Sequence, residues 1–467
     1  MNPNESSRPA RIEGLIAENQ SLRQQLEKAQ AEIERLRKEL EEALRGLKRQ
    51  AAPFSRRKPK RNPKRPGRKG GANYGKPVSR PIPDRVDEEI PVPLPEQCQC
   101  GGLAIYDETQ PQYQEDIVRK TIVRRFDVEI GHCAGCGRRV QGRHRLQTSD
   151  ALGAAQVQLG PEAVSLAAHL NKEMGLSHQR AARVLELGYG LPVSRSGVCR
   201  ALLRLGKKAE PTYQQLRILV QNSWVNWIDE TGWRVAASLH WLWVAMSAQV
   251  TVYDILPGRG FDQAASILGQ DYPGWLIHDG WAPYYRFPKA FHQSCLSHVM
   301  SRCQHLIETV SPAAARFPSH LLGLFRKGLA LRDRQACQQI TSHGLAIATG
   351  RLEASLDRLL SKTYRSGANR RLAKHLCHER PWLFTFLHCP GIDATNNAAE
   401  RALRPAVIAR KTWGGNRTRA GARAQKILLS VLRTCQQQGK DSFKRLVGLL
   451  RCATPRVLDI VPSGRSP

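Results

Sequence analysis

Acidic residues are scarce in this chain. It has 40 Asp and Glu against 72 Lys and Arg, a net charge of +32 over 467 residues. That surplus repels itself in a compact fold unless a polyanion offsets it, which points to nucleic acid as a partner. A protein that is merely basic, such as a ribosomal one, is the bland alternative; the length and the 9 Trp speak against a small ribosomal protein. Long apolar runs are also missing: none approaches the ~20 residues needed to span a bilayer. Residues Met1 to Ala10 hold no apolar signal core, so the expected location is the cytoplasm, at the nucleoid when DNA is bound, with no membrane partner. Twelve cysteines are too sparse for a disulfide scaffold. Hydrophobic residues make up 41%, enough for two or three domains with sizeable cores.

What is present falls into blocks. Over 12–50 a heptad places Ile12, Asn19, Leu26, Ile33, Leu40 and Leu47 at a, and Leu15, Leu22, Ala29, Leu36 and Ala43 at d. A 3.5-residue repeat of this length predicts a coiled coil joining a homodimer or higher oligomer, and one Asn at a is a register device of parallel dimers. A lone solvated helix is the alternative. Residues 51–95 form a basic linker, with Arg56-Arg57-Lys58-Pro59-Lys60-Arg61 at its densest and repeated Pro later. Such a stretch has too little apolar surface to fold alone and suits phosphates rather than bases.

Residues 96–146 carry Cys98, Cys100, Cys133 and Cys136, each pair followed by Gly, with strand-like sequence between them. Two such turns predict a zinc ribbon holding a structural Zn2+. The first knuckle is C-x-C, one residue short of the usual spacing, and ordinary cysteines are the alternative. Residues 150–215 read as helices. Two short helices around Gly188-Tyr189-Gly190, the second capped by Ser194, fit a helix-turn-helix with Arg195 and Arg200 toward DNA. Any helical hairpin has the same pattern.

From 222 to 415 the expectation is a ribonuclease H-like core: strands at Trp224–Val235, Leu239–Met246 and Gln249–Leu256, a helix at Phe261–Leu268, and a strand at Gly274–Gly280. A helical insertion is expected at about 296–390, and 416–467 as a closing helical segment. The acidic pair Asp229-Glu230 sits in an aromatic strand, where a carboxylate is costly unless compensated. In that topology Asp279, ending the fourth strand, lies near Asp229. Glu400, on a helix expected to be capped by Asn396, adds a third carboxylate. Three carboxylates can hold two Mg2+ (or Mn2+) ions ~3.5–4 Å apart for phosphoryl transfer. Glu230 is expected on the opposite strand face. Singly, each acid has a plain structural reading: Asp279 as a turn cap, Glu400 as the partner of Arg404.

Arg401, Arg404, Arg410, Lys411, Arg417, Arg419 and Arg423 follow Glu400 and suit phosphate tracking, a solvated helix face being the alternative. Cys295 and His298 look like half of a metal site, but Cys303 and His305 are irregularly spaced. A packed helix, with His298 and Arg302 near DNA or the acids, is the expectation.

Asp229-Glu230-Thr231 with Trp233, His278-Asp279-Gly280 before Tyr284-Tyr285, Cys295-Leu296-Ser297-His298 with Arg302, and Asn396-Asn397-Ala398-Ala399-Glu400-Arg401-Ala402-Leu403-Arg404-Pro405 together resemble the insertion sequence 66 family of bacterial transposases. The resemblance spans nearly the whole chain. It implies a DDE transposase whose acidic residues are Asp229, Asp279 and Glu400, acting on double-stranded DNA at element ends and target, with accessory proteins as plausible partners. The short first knuckle and Thr412-Trp413 after Lys411 depart from the family pattern. The rival readings are a nuclease on the same core that cuts without joining, and a non-enzymatic DNA-binding regulator.

Overall fold

The computed structural model describes residues 18–37, 82–93, 95–97, 99–114, 120–147 and 158–461. The basic run 56–69, Cys98 and both ends of the heptad lie outside them. Residues 18–37 form helix α1, exposed throughout, with Leu22, Leu26, Ile33 and Leu36 facing solvent. A small antiparallel hairpin follows: β1 (Ile130–His132) and β2 (Arg139–Gln141), joined by the Cys133–Cys136 turn.

The main body is built on one mixed sheet. Its strands are β3 (Val225–Val235), β4 (Ser238–Met246), β5 (Thr251–Leu256), β6 (Trp275–His278) and β7 (Phe291–Ser294), in the order β5-β4-β3-β6-β7. β3 is central: it pairs antiparallel with β4 and parallel with β6. Alternation along β3 sends Asn226, Ile228 and Glu230 to one face, and Trp227, Asp229, Thr231 and Trp233 to the other. The first face is covered by α4 (Arg195–Gln221), α5 (Phe261–Leu268), α12 (Arg419–Gln437) and α13 (Ser442–Arg451), in a core that joins Ile228, Trp243, Leu276, Leu205 and Leu428. α4 and α12 come so close that a Cβ on Gly206 would stand 2.9 Å from the Ala424 Cα. Over the second face lies α11 (Asn397–Trp413), whose Ala399, Ala402 and Ala406 let it settle on Trp233 and Val244.

Between β7 and α11 the chain runs through α6 (Leu296–Thr309), α7 (Pro312–Ala336), α8 (Ser342–Leu360), α9 (Gly367–Glu379) and α10 (Thr385–His388). These helices have their own core, with Phe317, Leu321, Phe325, Leu376 and Phe384, and it reaches the sheet at Ile277.

Two features differ from the sequence patterning. Helix α3 (His178–Tyr189) ends at left-handed Gly190, and Ser194 Oγ accepts from the Gly197 amide, so a capped helix follows a Gly turn. That second helix is not short. Its apolar stripe, Val198 to Val220, keeps helical spacing for 27 residues, and α2 (Pro161–Ala168), α3 and α4 share one core with the sheet. Strand β7 has no counterpart in the sequence pattern either. Its His292, Gln293 and Ser294 are buried but polar, so it carries no alternating apolar signal.

One buried charge invites a test. Lys172 sits in a π-helical segment, His169–Glu173, and its Nζ donates to Gln425 Oε1 at 2.6 Å. Burial pushes its ammonium down to about 7. The unfolded chain keeps that proton to about pH 10.4, so stability contributed by this group rises with pH between those values. Lys172→Met is expected to raise stability at neutral pH and to flatten that slope in denaturant titrations; an unchanged slope would show the ammonium to be solvated.

Candidate active site

Asp229 lies mid-strand on the α11 side of β3. Burial, then the neighbouring Glu230 and Asp279 carboxylates, push its carboxyl well above the ordinary range. Its Oδ1 accepts from the Glu230 amide at 2.8 Å. Glu230 points the other way and is fully engaged: it accepts from Arg259 Nε and from the Tyr284 hydroxyl. Burial raises Glu230, and Arg259 and Tyr284 offset only part of that. Arg259 stacks on Trp281 at 4.2 Å and reaches toward Asp279, its Nη2 standing 3.7 Å from Oδ2.

Asp279 follows the C-terminal end of β6, beside β3. Its Oδ1 accepts from the Trp281 amide at 3.0 Å, which closes a tight turn. The turn needs Gly280, at φ +81°, and a Cβ there would collide with Glu379 Oε1. Glu379 ends α9. It is buried, and burial is the largest cause raising its carboxyl to about 7, with Arg302 opposing. His375 Nε2 is 3.1 Å from Glu379 Oε1 but off the angle for a hydrogen bond, and that oxygen has no donor among the described residues. Sequence reasoning missed Glu379. Within Cys377-His378-Glu379-Arg380 it reads as an ordinary charged helix end.

Glu400 reaches the site from the first turn of α11. The expected Asn cap is corrected here: Asn396 makes no side-chain cap bond. Its Nδ2 instead donates to the Ile228 carbonyl at 2.9 Å, and its amide donates to Cys295 Sγ at 3.0 Å. The first bond ties the start of α11 to β3 one residue before Asp229. Glu400 Oε1 then faces His298 Nδ1 at 3.5 Å. Interaction with Cys295 is the largest cause raising His298 to about 9. Burial would raise the Cys295 thiol, but His298, the Asn396 amide and Ser297 outweigh it and hold the thiol below its ordinary value.

The acids do not all converge. Asp229 and Asp279 are electrostatic neighbours, yet Asp229, Asp279 and Glu400 are not within 4.8 Å of one another as a trio; among the described residues that distance is met only by Cys295, His298 and Glu400. The donor set still suits hard divalent cations. Asp229 is half-buried beside other acids, and a cation would offset the desolvation and repulsion that favour its protonated form.

The basic residues divide. Arg195 and Arg200 are exposed at the start of α4, and Arg404 and Lys411 are exposed on α11. Arg302 is exposed and contacts His375. Arg410 is half-buried; its Nη1 donates to Thr231 Oγ1 at 3.0 Å and to the Gly232 carbonyl, so it ties α11 to β3. At the hairpin, the Cys136 and Gly135 amides lower the Cys133 thiol, as a metal-binding knuckle would. The described thiols of Cys100, Cys133 and Cys136 do not gather within 4.8 Å.

The sequence profile of the Transposase IS66 family matches residues 156–424. The chain belongs to the IS66 transposase family. No curated protein matches it. In this transposase the matched region runs from just before α2 into α12, and takes in the sheet, the three acids and the inserted helices; α1, the Cys hairpin and α13 lie outside it. Membership makes the protein a DNA-acting enzyme with a role in transposition, and DNA its partner. None of its described helices is long and apolar enough to cross a membrane.

Proposed function

We propose that this transposase works by DDE chemistry on a ribonuclease H-like core, with Asp229, Asp279 and Glu400 as its catalytic carboxylates. The observation that carries the reading is Asp229: a half-buried acid on a central strand, its carboxyl desolvated beside Asp279, with Asn396 fastening the Glu400 helix to the same strand. The central β3, flanked by antiparallel β4 and parallel β6, supports the core assignment.

Asp229, Asp279 and Glu400 would hold Mg2+ or Mn2+, which supplies Lewis acidity for the attacking and leaving oxygens of an in-line displacement. The chain's own residues do the placing. Arg259 and the Trp281 amide orient Asp279, and the Asn396 side chain, through Nδ2, sets Glu400 over β3. Water attacks the phosphodiester at an element end, the bond to the 3′ oxygen breaks, and a free 3′-hydroxyl remains. That hydroxyl attacks a target phosphodiester and displaces the target's own 3′ oxygen, so joining needs no covalent protein–DNA intermediate. Arg195, Arg200, Arg302, Arg404 and Lys411 are the residues we assign to phosphate contact, while Arg410 holds the fold. Structural Zn2+ on Cys98, Cys100, Cys133 and Cys136 belongs to the same proposal.

Incubating purified protein with Mg2+ and DNA carrying the element's ends tests this. Joined end–target products are expected. Cuts without joined products would favour the nuclease reading, and binding without metal-dependent cleavage the regulator. The exposed apolar stripe of α1 predicts pairing of two protomers through that helix. Leu26→Asp with Ile33→Asp should halve the mass seen in sedimentation equilibrium, and an unchanged mass would place self-association elsewhere.

A further inference from the structure

Cys295 and His298 read in sequence as half of a metal site with no second half nearby. The fold supplies one. Cys295, His298 and Glu400 each present a ligand atom, and the three atoms lie within 4.8 Å of one another. Two further observations point to a ligand. His298 Nδ1 is a buried atom with no well-aligned hydrogen bond, although the ring interacts with Cys295 and Glu400 Oε1 stands only 3.5 Å away. Cys295 is buried, and its Sγ accepts the Asn396 amide at 3.0 Å and meets Ser297 Oγ at 2.9 Å. Fixed donors around a sulfur orient it as a thiolate ligand. The Glu400 side chain is 42% exposed, which leaves a way in from solvent.

We propose that Cys295, His298 and Glu400 form a binding site for a transition-metal ion of the Zn2+ class, and that filling it withdraws Glu400 from the catalytic carboxylates. Zn2+ binds thiolate at ~2.3 Å and imidazole or carboxylate at ~2.0–2.2 Å. Tetrahedral geometry puts ligand atoms roughly 3.3–3.7 Å apart; the His298–Glu400 pair already stands at 3.5 Å, and the rest of the trio needs only a small closure, within reach of side-chain rotation at Glu400. One thiolate, one imidazole and one carboxylate favour Zn2+ or Co2+; Mg2+ takes oxygen ligands and is a poor match for the sulfur. The binding half of the proposal stands on these residues alone, and the inhibitory half rests on the function proposed above.

The probe is Co2+, titrated into the full chain without DNA and followed through its thiolate-to-metal absorption. Wild type is expected to bind one more equivalent than Cys295→Ser, and Cys133→Ser to keep that equivalent. Glu400→Gln, which leaves the Cys295–Asn396 contact in place, should weaken it at least tenfold, as should His298→Gln. Equal counts and spectra in wild type and all three site variants overturn the site. Micromolar Zn2+ should then suppress Mg2+-driven cleavage by wild type; Co2+ binding at the trio with cleavage indifferent to Zn2+ overturns the inhibitory half. If cleavage is never seen with Mg2+ alone, the DDE reading fails while the Co2+ count still decides the site.

Discussion

In metal-free protein, Asp229→Asn is expected to raise the melting temperature while removing metal-dependent cleavage. The two effects share one cause. Burial and the carboxylates of Glu230 and Asp279 push Asp229 well above its ordinary range. An acid whose folded pKa is raised favours folding fully below its unfolded value, about 3.9, and that contribution is lost as pH climbs toward the folded value. At neutral pH the carboxyl therefore works against the fold, and a neutral amide of similar shape relieves it. A gain of about 1 kcal/mol corresponds to roughly 2–4 °C in a domain of 150–250 residues, and less in a longer one. The gain should vanish below about pH 4, where both forms are neutral. Mg2+ or Mn2+ should stabilise wild type and leave the variant unmoved. Several kcal/mol of charge stabilisation come from a catalytic cation, so the cleavage rate should fall by roughly 10³ or more. Calorimetry at both pH values decides it: a lower melting temperature for Asp229→Asn at neutral pH would mean that the carboxylate is paired by the protein itself.

Gly280→Ala is expected to damage both stability and activity. Position 280 lies at φ +81°, where a Cβ costs about 1–2 kcal/mol. The new methyl also meets the buried Glu379 carboxylate, which is held by the end of α9. Together these should cost about 2–4 kcal/mol and shift the Asp279 turn. Glu379→Ala in the same chain removes the collision but keeps the backbone strain. The pair should therefore be coupled by about 1–3 kcal/mol in denaturant unfolding. Additive losses would separate Glu379 from the Asp279 turn.

The central strand was legible because its aromatic alternation is strong and the acidic pair interrupts it. The helix Phe261–Leu268 was equally clear, between Gly260 and Gly269. The end of α4 was hidden because its second half lines the core that the sheet provides, a contact that spacing along one helix does not reveal. Strand β7 stayed invisible because its burial is polar: Gln293 and Thr385 bridge it to the inserted helices. The three acids stood out in sequence by residue type and element order, whereas what positions them did not. Asn396 reads as a helix cap, yet its side-chain Nδ2 serves the β3 backbone 168 residues earlier. Glu379 and the Cys295–His298–Glu400 trio depend on side chains that meet only in three dimensions.

Single-turnover cleavage of end-containing DNA by Asp229→Ala, Asp279→Ala, Glu400→Ala and Glu230→Gln, each shown to be folded and to bind DNA, is the most direct test. The first three should fall by roughly 10³ or more, while Glu230→Gln, which changes a residue on the opposite strand face, should lose far less. Wild-type rates in any of the first three, or an equal loss in Glu230→Gln, would contradict the assignment of Asp229, Asp279 and Glu400 as the catalytic carboxylates.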